Sequence, residues 1–120
     1  MEERREFVRL DTRLPIQYWV VPSAQAIASV TTDLGGGGMC LFVNEPLKPG
    51  TRLQVAIRLP ELQRSVTFTC EVIWCEQYEM IGKSQRTRSV EAGVKFLQID
   101  AEDREAIMHH VILSLQPPSP

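Results

Sequence analysis

The feature that most constrains this chain is a run of strict two-residue alternation through its centre. Leu53, Val55, Ile57 and Leu59 alternate with Arg52, Gln54, Ala56 and Arg58 until Pro60 stops the pattern. Val66, Phe68, Cys70, Val72 and Trp74 then alternate with Ser65, Thr67, Thr69, Glu71 and Ile73. Successive strand side chains point to opposite faces, so such runs predict strands with one buried face, as in an antiparallel sheet. The same reading predicts strands over 16–21, closed by Pro22, over 26–32, over 39–43 and over 90–99. Polar or Pro/Gly-rich segments at 44–50, 60–64 and 82–89 connect them. The period changes once. Asp100 is a plausible N-cap, with Asp103 at the third helical position in the manner of a capping box, and Glu102, Asp103 and Glu105 suit the positive end of a helix dipole. Ile107, Val111 and Leu115 form the apolar stripe expected to lie on the sheet. The fold class is therefore mainly β: a six-stranded antiparallel barrel with a C-terminal α-helix.

A chain of 120 residues suits one domain. Residues 1–12 read as a flexible arm, 13–115 as the barrel and its helix, and 116–120 as a disordered tail. A net charge of −2 argues against coating a nucleic acid polymer, because that work calls for a basic surplus. No apolar run approaches membrane-spanning length and the start, MEERREF, lacks a signal peptide's apolar stretch, so membrane insertion is not expected and the cytoplasm is the expected location. Cys40, Cys70 and Cys75 are odd in number, lack C-x-x-C spacing and sit among apolar residues, which fits reduced, buried thiols. His109 and His110 point about 100° apart on a helix and cannot form an i, i+4 metal pair; both read as surface residues, and no metal site is expected. With no nucleophile beside a base and no placed pair of carboxylates, no catalytic residue is assigned and the protein is not expected to be an enzyme. Trp19 and Trp74 read as core or barrel-surface anchors.

Two features remain. Gly35 to Gly38 are four consecutive glycines between strands, which permits positive φ or close approach, yet no Lys-Ser/Thr follows as a phosphate loop would require. Ten of the thirteen cations are arginines, and Arg4, Arg5, Arg9 and Arg13 crowd the first thirteen residues. Arginine suits bidentate phosphate recognition and stacking on flat rings.

Arg5 and Arg9, four apart ahead of the first strand, together with Asp33 to Gly38 at the end of the second and Gly93-Val94-Lys95-Phe96 on the last, resemble the PilZ domain family from about Arg4 to Leu115. The resemblance implies a six-stranded barrel with a C-terminal helix and, as ligand, cyclic di-GMP, with no other cofactor. The family signature is Arg-x-x-x-Arg followed by Asp/Asn-x-Ser-x-x-Gly. Arg5, Arg9, Asp33 and Gly38 match it, whereas Gly35 stands where the family usually has Ser.

The ligand's chemistry fits these residue types. A guanidinium fork can bridge O6 and N7 of guanine or stack on the purine face, and a carboxylate such as Asp33 can accept from its N1–H and N2–H. Arg4 is a further phosphate contact, and Gly38 is expected to leave room for a base. A lost Ser hydroxyl at Gly35 would cost around 1 kcal/mol, against about 1.5–3 kcal/mol for a charged arginine contact, so binding is expected to survive.

On this reading the arm is mobile until ligand docks it across the barrel, which signals in trans to an unidentified effector protein of motility, adhesion or exopolysaccharide machinery. The ligand enters singly or as an intercalated dimer, and the protein is a monomer or weak dimer. The alternative is a PilZ-type protein–protein adaptor that binds no nucleotide. A barrel for single-stranded nucleic acid is disfavoured by the acidic balance and by the lack of aromatics clustered on one strand face.

Overall fold

The computed structural model describes residues 8–81 and 86–115. Seven strands and one helix follow in order: β1 (Arg9–Asp11), β2 (Pro15–Val20), β3 (Ile27–Gly35), β4 (Gly38–Val43), β5 (Arg52–Ile57), β6 (Val66–Ile81), β7 (Arg86–Gln98) and α1 (Ala101–Leu115). All strand pairs are antiparallel, in the order β1-β3-β2-β5-β6-β7-β4, and pairing of β3 with β4 closes β2–β7 into the expected six-stranded barrel.

The alternation sorts the faces as its period requires. Leu53, Val55 and Ile57 of β5 and Val66, Phe68, Cys70 and Val72 of β6 are buried, and they join Ile16, Tyr18, Leu34, Met39, Leu41, Val90, Ala92, Val94 and Phe96 in one core. Closure also removes the open sheet edges that a flat sheet of this size would carry.

Three elements differ from expectation. Arg9–Asp11, expected within the arm, is a strand paired with β3 in the register Arg9↔Gly35, Leu10↔Leu34 and Asp11↔Asp33. Three residues of mixed charge carry too little pattern to announce a strand, and it forms because β3 offers its edge beyond the end of β2. Next, β6 runs sixteen residues, to Ile81, and β7 starts at Arg86, so residues 86–89, expected in a loop, are paired. From Tyr78↔Ser89 to Ile81↔Arg86 the two strands pair as a ribbon beyond the span where β5 and β4 flank them. With no core to face there, the sequence has no reason to alternate.

The third difference is the face of α1. Ile107 and Val111 are buried as expected, but Leu115 is 50% exposed, and His110, expected on the surface, is 6% exposed. Residues spaced by four advance about 40° per step, so by Leu115 the stripe has turned some 80° from Ile107, whereas positions 103, 107 and 110 hold one side. That side packs against β1 and β3. His110 is buried because the Glu61 carboxylate receives its Nδ1 at 2.8 and 2.9 Å. Asp103, expected at a capping position, accepts from Arg64 Nη2 at 2.8 Å. At the helix start the Asp100 carbonyl accepts from Arg104 N–H at 3.0 Å, as an N-cap residue's carbonyl does.

Residues 1–7 and 116–120, read as most of the arm and as the tail, lie outside the described residues. Among the described residues no helix is long and apolar enough to cross a membrane, and no group of His, Cys, Asp and Glu could hold a metal ion.

Candidate ligand-binding site

The signature residues that are described meet where β1 lies along β3 and the β3–β4 hairpin turns through Gly36 and Gly37. A register irregularity between Thr31 and Asp33 resets the pairing, so that Asp33 sits opposite Cys40 on the outer face while Leu34 stays opposite Met39 in the core. Such bulges re-aim a side chain without moving the strand. Here the bulge turns a carboxylate outward.

Asp33 Oδ1 accepts two bonds, one from Arg9 Nη2 at 2.5 Å and one from Cys40 N–H at 2.9 Å. The same Nη2 lies 3.6 Å from Cys40 Sγ. Both side chains are partly open to solvent, Arg9 at 25% and Asp33 at 22%. Arg9 Nε is buried and has no hydrogen-bond partner among the described residues. The pair is therefore tight but not saturated: among the described residues, Nη1 and Asp33 Oδ2 take no further hydrogen bond and retain bonding capacity toward a ligand. Burial, and then the nearby Asp33 charge, pushes the Cys40 thiol up to about 12, so it is a neutral neighbour and not a nucleophile.

The glycines serve close approach. None of Gly35 to Gly38 has positive φ; Gly50, at 94°, does, in the 44–50 turn. A Cβ on Gly38 would strike the Val94 backbone carbonyl of β7, so the space expected to receive a base is filled by the neighbouring strand. A Cβ on Gly35 would lie 2.8 Å from both Arg9 Cδ and the Val8 carbonyl oxygen. Arg9, Asp33 and Gly35 are thus brought together, and Gly38 adjoins them at the start of β4. Arg4 and Arg5 lie outside the described residues.

Sequence reasoning missed the rest of the surface. The Cys40 amide fixes Asp33, and a backbone N–H leaves no mark in a sequence. Trp74, read as a core or barrel-surface anchor, is 37% exposed and occupies the place a Gly93 side chain would take, a packing the sequence did not show, on the row Asp33–Cys40–Gly93–Trp74 across the outer face. Arg13 sits 5.9 Å from the Phe42 ring centroid and donates from Nη1 to the Thr32 carbonyl at 2.8 Å. Its place at the edge of the arginine cluster was visible, but its aromatic partner was not.

A family model for the PilZ domain matches residues 3–113. The chain belongs to the PilZ family. Among solved structures, this PilZ domain is similar to the Bacillus subtilis inhibitor of motility MotI/DgrA, with 22% identity and TM-score 0.74, covering 94% of this chain and 52% of that one. It is similar to the PilZ domain of Escherichia coli YcgR with c-di-GMP, at 18% identity and TM-score 0.73, covering 94% and 92%. It also resembles the K. pneumonia MrkH–c-di-GMP complex at 17% identity and TM-score 0.70, covering 95% and 53%. The chain spans about half the length of the MotI and MrkH chains and nearly all of the isolated YcgR domain. A search of curated proteins gave no match.

Proposed function

We propose that this PilZ domain is a receptor for cyclic di-GMP, with Arg4, Arg5, Arg9, Asp33, Gly35 and Gly38 forming the binding surface. The observation that carries the reading is the Arg9–Asp33 pair at the glycine hairpin, held at one carboxylate oxygen while, among the described residues, Nη1 of the guanidinium and the second carboxylate oxygen take no other hydrogen bond. Cyclic di-GMP presents acceptor edges on guanine and phosphate for the arginines and paired donors for Asp33. Arg9 supplies the fixed contact. Arg5, on the segment ahead of β1, closes over the ligand, and Arg4 adds charge toward phosphate. Gly35 lets β1 lie close enough to seat Arg9, and Gly38 lets β7 pack against the start of β4 beside the pair.

The output is a changed surface read by an effector protein. Because α1 packs against β1 and β3, a ligand gripped by Arg9 and Asp33 bears on the two strands beneath the helix. The reading is supported by the YcgR PilZ domain with c-di-GMP and the MrkH–c-di-GMP complex, whose fold this chain shares.

Isothermal titration of cyclic di-GMP into the protein and into an Arg5→Ala/Arg9→Ala variant tests it. Micromolar or tighter binding that disappears in the variant is the expected result. Binding that survives the variant moves the site elsewhere. Absence of binding to the unaltered protein, repeated by a second method, makes a nucleotide-independent adaptor the better reading.

A further inference from the structure

The chain from Arg9 to Leu14 is stitched to β3 at nearly every residue. Thr12 N–H donates to the Thr32 carbonyl at 3.3 Å, and the Thr31 hydroxyl donates to the Thr12 carbonyl at 2.6 Å. Leu14 N–H donates to Thr31 Oγ1 at 2.9 Å and Arg13 Nη1 to the Thr32 carbonyl at 2.8 Å. Thr31 is fully buried, so its hydroxyl is committed to this stitching. At the far end Arg9 faces Gly35, and there the fit depends on a missing atom: any β-carbon on Gly35 comes within 2.8 Å of Arg9 Cδ and of the Val8 carbonyl oxygen. The arginine stem could swing aside, but the Val8 oxygen is backbone, and relieving it means lifting the start of β1. Gly35 is not needed for its φ, which is not positive. It is needed for closeness.

We propose that Gly35 is the positioning residue that seats Arg9 on Asp33 before any ligand arrives, making the second arginine of the binding segment a fixed part of the barrel. The Arg9–Asp33 half of the clamp is then already built in the free protein. A side chain at position 35, the family's Ser included, unseats β1 and weakens binding instead of adding a useful hydroxyl. Pre-seating is favourable because a contact already held in place costs less ordering when ligand arrives. The consequence for affinity rests on the receptor reading; the seat itself does not.

Amide hydrogen exchange followed by mass spectrometry tests the seat without ligand, on the full chain. In the unaltered protein the segment 8–12 is expected to be protected. In Gly35→Ala and Gly35→Ser it is expected to exchange at least tenfold faster, with 52–57 as protected as before. Titration of cyclic di-GMP into the same variants is expected to show affinity at least tenfold lower. An unprotected 8–12 segment in the unaltered protein overturns the proposal even if neither variant folds. So does a folded Gly35→Ser variant that keeps the segment protected or binds more tightly. If the unaltered protein binds no cyclic di-GMP while the exchange results come out as expected, the seat stands and the receptor reading falls.

Discussion

Two carboxylate–cation clusters flank the strands under α1, and they are built to different ends. At the β3–β4 hairpin, Asp33 holds Arg9 and the Cys40 amide on one oxygen, and the guanidinium keeps a buried Nε without a partner among the described residues. Under the helix, both Glu61 oxygens lie within 2.9 Å of His110 Nδ1, and Asp103, 8% exposed, holds Arg64. The helix cluster joins α1 to the β5–β6 connection with little bonding capacity left over at His110 Nδ1. The hairpin cluster is positioned by the same kind of bond but, among the described residues, has donors and an acceptor to spare. A fastener and the proposed binding site differ here in what remains unsatisfied, more than in which residues are used.

The sharpest way to break the distinction is Asp33→Ala. It strands the Arg9 guanidinium and the Cys40 N–H together, so it should lower cyclic di-GMP affinity at least a hundredfold and cost about 1–3 kcal/mol of stability. Titration calorimetry and urea denaturation read the two effects. Unchanged affinity would remove Asp33 from the site.

His110→Ala should do the converse. Losing a buried ring and leaving Glu61 without its partner should cost about 1–2 kcal/mol in urea denaturation, while ligand affinity changes less than threefold. A large affinity loss without a stability loss would mean that the helix cluster belongs to the site.

The smallest effect is in alkali, where one thiol of the site and one of the core are compared. Burial holds both Cys40 and Cys70 at about 12 in the folded protein, against 9.0 for an unperturbed thiol. The folded state thus retains protons that the unfolded chain releases. Stability contributed by these thiols is complete below about pH 9 and declines as pH rises from there toward 12. Denaturation midpoints at pH 8 and pH 10 check the sign, and Cys40→Ala should flatten the decline. The same variant should bind ligand within threefold of the original, because the amide of residue 40 holds Asp33.

Much of the barrel was legible because burial on one face forces a period of two. Leu53 to Leu59 and Val66 to Trp74 state their strands outright, and Asp100 with its acidic first turn states where the helix begins. The ribbon beyond Gln77 was not legible, since no core imposes a period on Tyr78 to Ile81. At the site, Arg9 and Asp33 were legible as a pattern, as was the departure at Gly35. The meaning of that departure was not: position 35 read as a lost hydroxyl, whereas its Cβ direction points at Val8 and Arg9. Gly38 read as space for a base, and β7 fills that space.

By itself the sequence determined the strands with a buried face, the terminal helix, the family resemblance and the residue types able to grip a guanine or a phosphate. Each of these is set by side chains acting on their own neighbourhood, through period, capping or bonding capacity. Only the tertiary structure decided that Arg9 lies in the sheet, that the Cys40 amide orients Asp33, and that His110 is a buried tie. Those outcomes depend on backbone groups and distances between segments far apart in the chain, and a single residue's identity carries no record of what will be folded against it.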